Sequence, residues 1–359
     1  MNQARKRTGT KKVLSMILVL VMLLSLLSMA AFTLPTAASS DSAASNADFM
    51  RIFHLDCGRK YFSVSEIKGI IDQLAANHYT HLQLAFGNNG FRFLLDEMPV
   101  GSYTSEQVKN ALTNGNRTYS NSNNADSSML SESDMDAIIA YAEKNGISII
   151  PMLNTPGHMD ALVSAMSELN VGSSRTTSEM RLTDDAQVNF VKALQQKYIN
   201  YFADHGSKYY NFAADEYTFS ALSDSEYTAF ATYVNAIAKM VKDAGMTPMC
   251  YNDGINYSGK TSSVAFDTDI LVCYWAQDVN YASVTELSNA GFKIINNNDA
   301  WYYVLGDYLN IWANPQWRYE DALEGIQNTP VTQAKNVADK EVPVVGSVLC
   351  VWCDGPAKV

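Results

Sequence analysis

Short apolar runs, eight in all, alternate with stretches of helical periodicity from about residue 49 onward. The runs at 52–56, 81–86, 147–153, 209–214, 247–252, 270–275, 292–296 and 347–352 are nearly continuous in apolar residues. Parallel strands covered by helices read this way, because both of their faces are buried. Between them, 63–77, 131–145, 185–205, 223–244 and 284–290 carry apolar residues at helical spacing. Ser131 with Asp134, and Ser223 with Glu226, mark helix starts, since a hydroxyl and a carboxylate three residues on satisfy free N–H groups of the first turn. Gly146, Gly206 and Gly245 mark stops. The pattern predicts an α/β fold of the TIM type, a (β/α)8 barrel. Val359 follows Trp352 by seven residues, too few for an eighth helix, so the barrel is expected to lack its final helix as a C-terminally truncated piece of a longer protein.

The first 38 residues break the pattern. Arg5, Lys6, Arg7, Lys11 and Lys12 precede an apolar run at 13–34, and small residues surround Ala37 and Ala38. This is the layout of a secretion signal, with an uncleaved N-terminal membrane anchor as the alternative; either way the body faces outside as a secreted or cell-surface protein. Residues 39–48 then form a Ser/Ala/Asn-rich linker and 49–359 the barrel. The whole chain has 26 Lys and Arg against 37 Asp and Glu, a net charge of −11. The leader holds five of the basic residues and no acidic one, so removing it leaves 21 basic groups against 37 acidic. That balance argues against nucleic acid or an anionic membrane surface as a partner, since either needs a basic face.

In such a barrel the chemistry belongs at the C-terminal ends of the strands. Those ends carry Asp56 and Arg59; Gly87, Asn88 and Asn89; Asn154 and His158; Asp215 and Glu216; Asn252 and Asp253; Trp275 and Gln277; Asn298 and Asp299; and Trp352 and Asp354. Asn and Asp also end strands as ordinary turn formers, but Trp, Arg and His do not. Carboxylates, amides and indoles around one mouth suit a sugar, whose hydroxyls need polar partners and whose C–H face stacks on an aromatic ring. Asp215 and Glu216 are adjacent, whereas the usual glycosidase pair straddles the scissile bond with carboxyls about 5 to 9.5 Å apart. If Glu216 is the general acid, its neighbour is better placed to orient a substrate group, and a 2-acetamido group of the substrate then supplies the nucleophile.

The segments Asp56-Cys-Gly-Arg-Lys-Tyr-Phe-Ser63, Ala85-Phe-Gly-Asn-Asn-Gly-Phe-Arg-Phe93, Asn154-Thr-Pro-Gly-His-Met-Asp160, Ala214-Asp-Glu-Tyr217, Tyr251-Asn-Asp-Gly254, Asn298-Asp-Ala-Trp-Tyr-Tyr-Val-Leu-Gly306 and Trp352-Cys-Asp354 together resemble glycoside hydrolase family 20, the β-N-acetylhexosaminidases. The resemblance runs from Asp56 to Pro356. It implies Glu216 as general acid/base and Asp215 as the carboxylate that holds the acetamido N–H while the acetamido oxygen attacks the anomeric carbon. Asp215 must then be ionised and Glu216 protonated at the outset, a split expected from their mutual repulsion.

The same resemblance gives Arg59 the 3- and 4-hydroxyls of the terminal sugar, which its rigid fork of donors suits. His158 supports the acid pair. Trp275, Trp301 and Trp352 line an aromatic box, and Tyr303, or else Tyr302, donates to the acetamido oxygen. Asp354 stands where many members carry Glu, one methylene longer, near the 4- or 6-hydroxyl. Asp253 lies near the aglycone or acetamido side, with turn former as the alternative. Trp312 and Trp317 either shape a subsite beyond the terminal sugar or pack within their loop.

Other chemistries find little support. Cys350 and Cys353 form a C-x-x-C with no second pair and no His at zinc spacing, and all five cysteines read as core thiols. We find no Gly-rich phosphate loop after the first strand and no G-x-S-x-G. The expectation is therefore an exo-acting β-N-acetylhexosaminidase that uses no metal and no cofactor. Its partner is a glycan with a terminal β-linked N-acetylhexosamine, and any membrane contact runs through the leader alone. A lacto-N-biosidase releasing a disaccharide and a non-catalytic sugar-binding barrel are the alternatives.

Overall fold

Eight parallel strands close on themselves in a computed structural model that describes residues 48–305, 323–324, 327, 333–335 and 341–356. The leader, Trp312 and Trp317 lie outside the described residues. The barrel strands are β1 (Met50–Leu55), β2 (His81–Asn88), β4 (Ser148–Leu153), β5 (Tyr209–Asn211), β6 (Thr247–Tyr251), β7 (Leu271–Tyr274), β8 (Lys293–Asn296) and β12 (Gly346–Val351). Each falls within two residues of an apolar run read from the sequence, except that β5 is shorter. Neighbours pair in the order β1-β12-β8-β7-β6-β5-β4-β2, and β1 pairs again with β2 to close the ring. Short strands extend its rim: β3 (Gly90–Phe91) runs antiparallel to β2, and β9 (Tyr303–Val304) lies parallel to β12. A separate hairpin joins β10 (Gln333–Lys335) to β11 (Glu341–Pro343).

The outer layer is helical. The five expected helices are α1 (Val64–Ala76), α3 (Glu132–Lys144), α5 (Asp185–Asp204), α6 (Asp224–Asp243) and α7 (Val284–Asn289). The boxes expected at Ser131/Asp134 and Ser223/Glu226 are both formed, and Gly146 and Gly206 end α3 and α5 with φ of 72° and 82°. Two further helices were not anticipated: α2 (Ser105–Asn123) and α4 (Asp160–Glu168). They pack closely where α2 has no side chain, since a Cβ on Gly115 would lie 2.1 Å from the carbonyl oxygen of Ala161. Between β6 and β7 none of the described residues 252–270 is helical, and Ile255, Tyr257 and Phe266 cover that flank instead. A single turn, α8 (Asp299–Tyr302), follows β8. Among the described residues no helix is long and apolar enough to cross a membrane.

Strand parity decides what faces the barrel axis. Ile52, Ile150, Met152, Ala213, Met249, Tyr251, Leu271, Cys273, Ile295, Val348 and Cys350 form the inner cluster, while alternate residues such as Leu55, Cys250, Val272 and Ile294 pack outward against the helices. Polar residues sit among the inner ones. Gln83 Nε2 donates to His54 Nδ1 at 2.7 Å, and Asn211 Nδ2 donates to Gln83 Oε1 at 3.0 Å. Burial holds His54 down to about 4, so this network is uncharged near neutrality.

Candidate active site

Continuing the inward parity one step past the strands reaches Asn154 after Ile150 and Met152, and Asp253 after Met249 and Tyr251. It likewise reaches Trp275 after Leu271 and Cys273, and Trp352 after Val348 and Cys350. Asp215 follows Ala213 in the same way. The apolar interior thus ends in a ring of acids, amides and indoles at the C-terminal mouth, where barrel loops build their sites.

Asp215 and Glu216 face different surroundings although they are neighbours. The Asp215 side chain is buried and its Oδ1 accepts from Asn154 Nδ2 at 2.7 Å. Glu216 leaves 53% of its side chain exposed and meets His158 Nε2 at 2.9 Å through Oε2. The turn that separates them is costly: Ala213, Ala214 and Glu216 all have φ between 49° and 60°, a region that costs a residue with a Cβ about 1 kcal/mol or more. Hydrogen bonds from the next strand hold it. Tyr251 N donates to Ala213 O at 2.7 Å, and Glu216 N donates to Asp253 Oδ2 at 2.7 Å. Asp253 Oδ1 also accepts from Trp275 Nε1 at 3.0 Å.

Arg59 enters from the loop after β1. Its Nη1 pairs with the buried Asp56 at 3.0 Å and lies 3.9 Å from Asp354, and its Nε donates to Asn89 Oδ1 at 2.9 Å. Its Cζ sits 5.7 Å from the centre of the Trp352 ring. Asp56 is itself held by the N–H groups of Arg59 and Cys353 and by Asn88 Nδ2. Trp275 and Tyr303 stack with centroids 5.9 Å apart and planes 3° from parallel, and Tyr303 meets Trp352 at 5.5 Å. The Tyr303 hydroxyl accepts from Asn297 Nδ2 at 3.1 Å, which leaves its own proton to donate. Burial first among the causes pushes the Tyr303 pKa well up, so that proton is retained.

The pKa directions run opposite to the expected split. The sequence reading has Asp215 ionised and Glu216 protonated by mutual repulsion, but burial raises Asp215, opposed by His158 and assisted by Glu216. Glu216 is lowered, chiefly by its hydrogen bond from His158. Burial works against charge on His158, but Asp215 and the bond to Glu216 outweigh it and raise its pKa. The proton therefore rests on the His158 side of the His158–Glu216 pair. Asp253 is pushed up to about 8, by burial and then by Asp215. Only Asp215 of these two acids lies near the imidazole, 3.9 Å from Nε2, so His158 opposes the rise at Asp215 and not at Asp253.

The glycosyl hydrolase family 20 catalytic-domain profile matches residues 50–355. The chain belongs to glycoside hydrolase family 20. A family 20 catalytic module of the pneumococcal exo-β-D-N-acetylglucosaminidase StrH superimposes with a TM-score of 0.79 and 34% identity, covering 87% of this chain and 79% of that one. Dispersin B shares the fold at a TM-score of 0.63 and 22% identity, over 86% and 92% of the two chains. Lacto-N-biosidase of Bifidobacterium bifidum is 27% identical over 47% of this chain. β-Hexosaminidase subunit A1 of Dictyostelium discoideum is 21% identical over 85% of it. The chain spans 16% and 54% of the lengths of these two curated relatives.

Of the residues singled out for this family 20 site, the structure brings together Arg59, His158, Asp215, Glu216, Asp253, Trp275, Tyr303, Trp352 and Asp354. It does not bring Trp301 into the aromatic stack. Trp301 lies on α8 and meets the ring of Tyr302 edge-on at 6.4 Å. The Tyr302 hydroxyl accepts instead from Asn296. Three contributors were passed over in the sequence: Asn89 as a bridge between Arg59 and His158, Asn154 as a partner of Asp215, and Asn297 as a partner of Tyr303. Asn89 and Asn154 stood among the strand-end residues, and only the geometry distinguishes them from turn formers. His158, Asp215 and Glu216 each offer a ligand atom within 4.8 Å of the others. In this arrangement Nε2 of His158 is hydrogen-bonded to Glu216, as an acid–base cluster requires.

Proposed function

We propose that the chain is a retaining exo-β-N-acetylhexosaminidase, removing terminal β-linked N-acetylglucosamine or N-acetylgalactosamine with the help of the substrate's own acetamido group. One observation carries this reading. Asp215 lies buried 3.9 Å from His158 Nε2, while its neighbour Glu216 stands half-exposed and hydrogen-bonded to the same imidazole nitrogen. An acetamido methyl fits against Trp275, Tyr303 and Trp352, the Tyr303 hydroxyl donates to the acetamido oxygen, and Asp215 takes the acetamido N–H. The oxygen attacks the anomeric carbon as Glu216 protonates the departing oxygen, giving an oxazolinium. Water, deprotonated by Glu216, opens it from the face the leaving group left. Two inversions give retention.

Release of a single sugar is supported by Arg59, only 11% exposed and flanked by Asp56 and Asp354, a buried group suited to grip the 3- and 4-hydroxyls of a terminal sugar. The similarity to a lacto-N-biosidase keeps disaccharide release as the second reading. The basic-then-apolar leader supports export of the barrel, as secreted or surface-held protein. The test is p-nitrophenol release from the β-N-acetylglucosaminide and the β-lacto-N-bioside by wild type and Glu216→Gln. Release from the monosaccharide by wild type alone is the expected result. Release only from the disaccharide supports the second reading, and release from neither leaves a sugar-binding barrel.

A further inference from the structure

A chain of polar side chains crosses the apolar barrel interior and ends at the turn that carries the two acids. Asn211, the last residue of β5, accepts the N–H of Ala213 on Oδ1 at 2.8 Å. Its Nδ2 donates to Gln83 Oε1 at 3.0 Å, and Gln83 Nε2 meets His54 Nδ1 at 2.7 Å. Each amide is thereby oriented by the one before it, starting from a main-chain donor that cannot be reversed. Gln83 Nε2 only donates, so His54 Nδ1 accepts and the neutral ring carries its proton on Nε2. The ring itself lies against Trp352, with centroids 4.2 Å apart. Cys273 Sγ, 3.9 Å from Asn211 Nδ2, and Met152 Sδ, 3.6 Å from Gln83 Nε2, are weak acceptors that cannot replace these bonds. All three side chains are buried, so an amide turned the wrong way would set donor against donor with no water to relieve it.

The turn needs such an anchor. Ala213 and Ala214 stand at φ of 59° and 60°, where a glycine would sit without strain and a residue with a Cβ does not. The Ala214 N–H reaches back to Phe212 O at 2.8 Å, and Tyr251 N holds Ala213 O at 2.7 Å. Asn211 supplies the remaining hold, on the N–H two residues before Asp215. We propose that Asn211 is a positioning residue for Asp215 and Glu216, and that Gln83 and His54 lock it in the orientation that accepts the Ala213 N–H. This rests on the reading of Asp215 and Glu216 as the catalytic pair. The three side chains act through the main chain, by setting where the two carboxyls stand when the glycosidic bond breaks.

The test compares Asn211→Leu, Asn211→Asp and Gln83→Met in the full-length chain on a p-nitrophenyl N-acetylglucosaminide. Leu fills the space without an acceptor, whereas Asp, ionised or protonated, still turns an oxygen to the Ala213 N–H. The kcat of Asn211→Leu is expected to fall about tenfold or more with KM nearly unchanged, and Asn211→Asp to recover most of that loss. Gln83→Met loses less, and adds little to Asn211→Leu, because the two work in series. A Leu variant with wild-type kcat, an Asp variant no better than Leu, or losses that multiply in the double variant would overturn the proposal. 15N spectra of wild type at neutral pH read the same chain with no substitution at all. A His54 ring protonated at Nε2 is expected, and one protonated at Nδ1 overturns the proposal as well. Where the variants do not fold, that measurement decides. If wild type hydrolyses nothing, the catalytic reading of the pair falls while the spectra still judge the chain of bonds.

Discussion

The main-chain N–H of Glu216 donates to Asp253 Oδ2 at 2.7 Å, so the loop after β6 fixes the position of Glu216 in the loop after β5. The same carboxyl takes the indole N–H of Trp275 on its other oxygen. One buried acid thus sets the left-handed turn at Glu216 and the orientation of an aromatic wall. Burial and then the neighbouring Asp215 push its pKa up to about 8, so near neutrality it holds a proton.

That proton makes stability depend on pH. Asp253 has a pKa of about 8 when folded and an ordinary carboxylate value when unfolded, so between about pH 4 and 8 the folded state holds one more proton. The sign follows: stability falls as pH rises across this window, by up to about 1.4 kcal/mol per pH unit, and levels off above it. Asp253→Asn lacks this titration but leaves one of the two N–H donors without an acceptor, a loss of about 1–3 kcal/mol at pH 5. Urea unfolding at pH 5, 6, 7 and 8 should show the variant less stable at first and the two curves converging. Parallel slopes would contradict the assignment of the proton.

Asp215→Asn should test substrate assistance. On the proposed mechanism Asn removes the charge that would hold the acetamido N–H in the transition state, while Asn154 Nδ2 still has an oxygen to donate to at that position. We expect kcat on the p-nitrophenyl N-acetylglucosaminide to fall about 100- to 1,000-fold. Binding of a thiazoline mimic of the intermediate should weaken much less. A variant that kept near-wild-type turnover would rule out attack by the acetamido oxygen.

The barrel was legible because strands buried on both faces must be apolar throughout, and α2 was not because its buried stripe is thin. Val108, Ala111, Leu112, Gly115 and Tyr119 keep helical spacing, but Asn, Ser and Thr fill the rest of that helix. Asp215, Asp253, Trp275 and Trp352 were legible as strand-end residues because inward parity carries through the end of each strand. For Trp301 it does not: β8 stops at Asn296, and the Asn298 side chain caps a new helical turn that carries the indole away. The order of the pKa values was illegible for another reason. It depends on which acid is buried, and on a histidine 58 residues away in the chain.

Arg59→Lys should weaken ground-state binding more than turnover. The guanidinium reaches Asp56, Asn89 and Asp354 at once, and an ammonium has no fixed fork with which to do so. Asp56 keeps Asn88 and the Cys353 N–H, so the fold should survive with a loss of about 1–3 kcal/mol. Steady-state kinetics should give KM raised about tenfold or more, with a smaller change in kcat. An unchanged KM would mean that the sugar does not meet this arginine.

Tyr303→Phe isolates the donor from the wall. The ring still stacks on Trp275, whose plane lies 3° from its own, so apolar contact with an acetamido methyl is kept. What goes is the hydroxyl proton, which Asn297 cannot replace because it already donates into the same oxygen. The acetamido oxygen needs that donor most when it is aligned for attack, so the loss should fall on kcat. We expect a decrease of about 10- to 100-fold, somewhat less than for removal of an oxyanion donor. Asn297 Nδ2 loses its acceptor, and melting should drop by a few degrees, for a cost of about 1 kcal/mol. Equal losses in the Phe and Ala variants would place the whole contribution in the hydroxyl, whereas a wild-type kcat in the Phe variant would exclude Tyr303 as the acetamido donor.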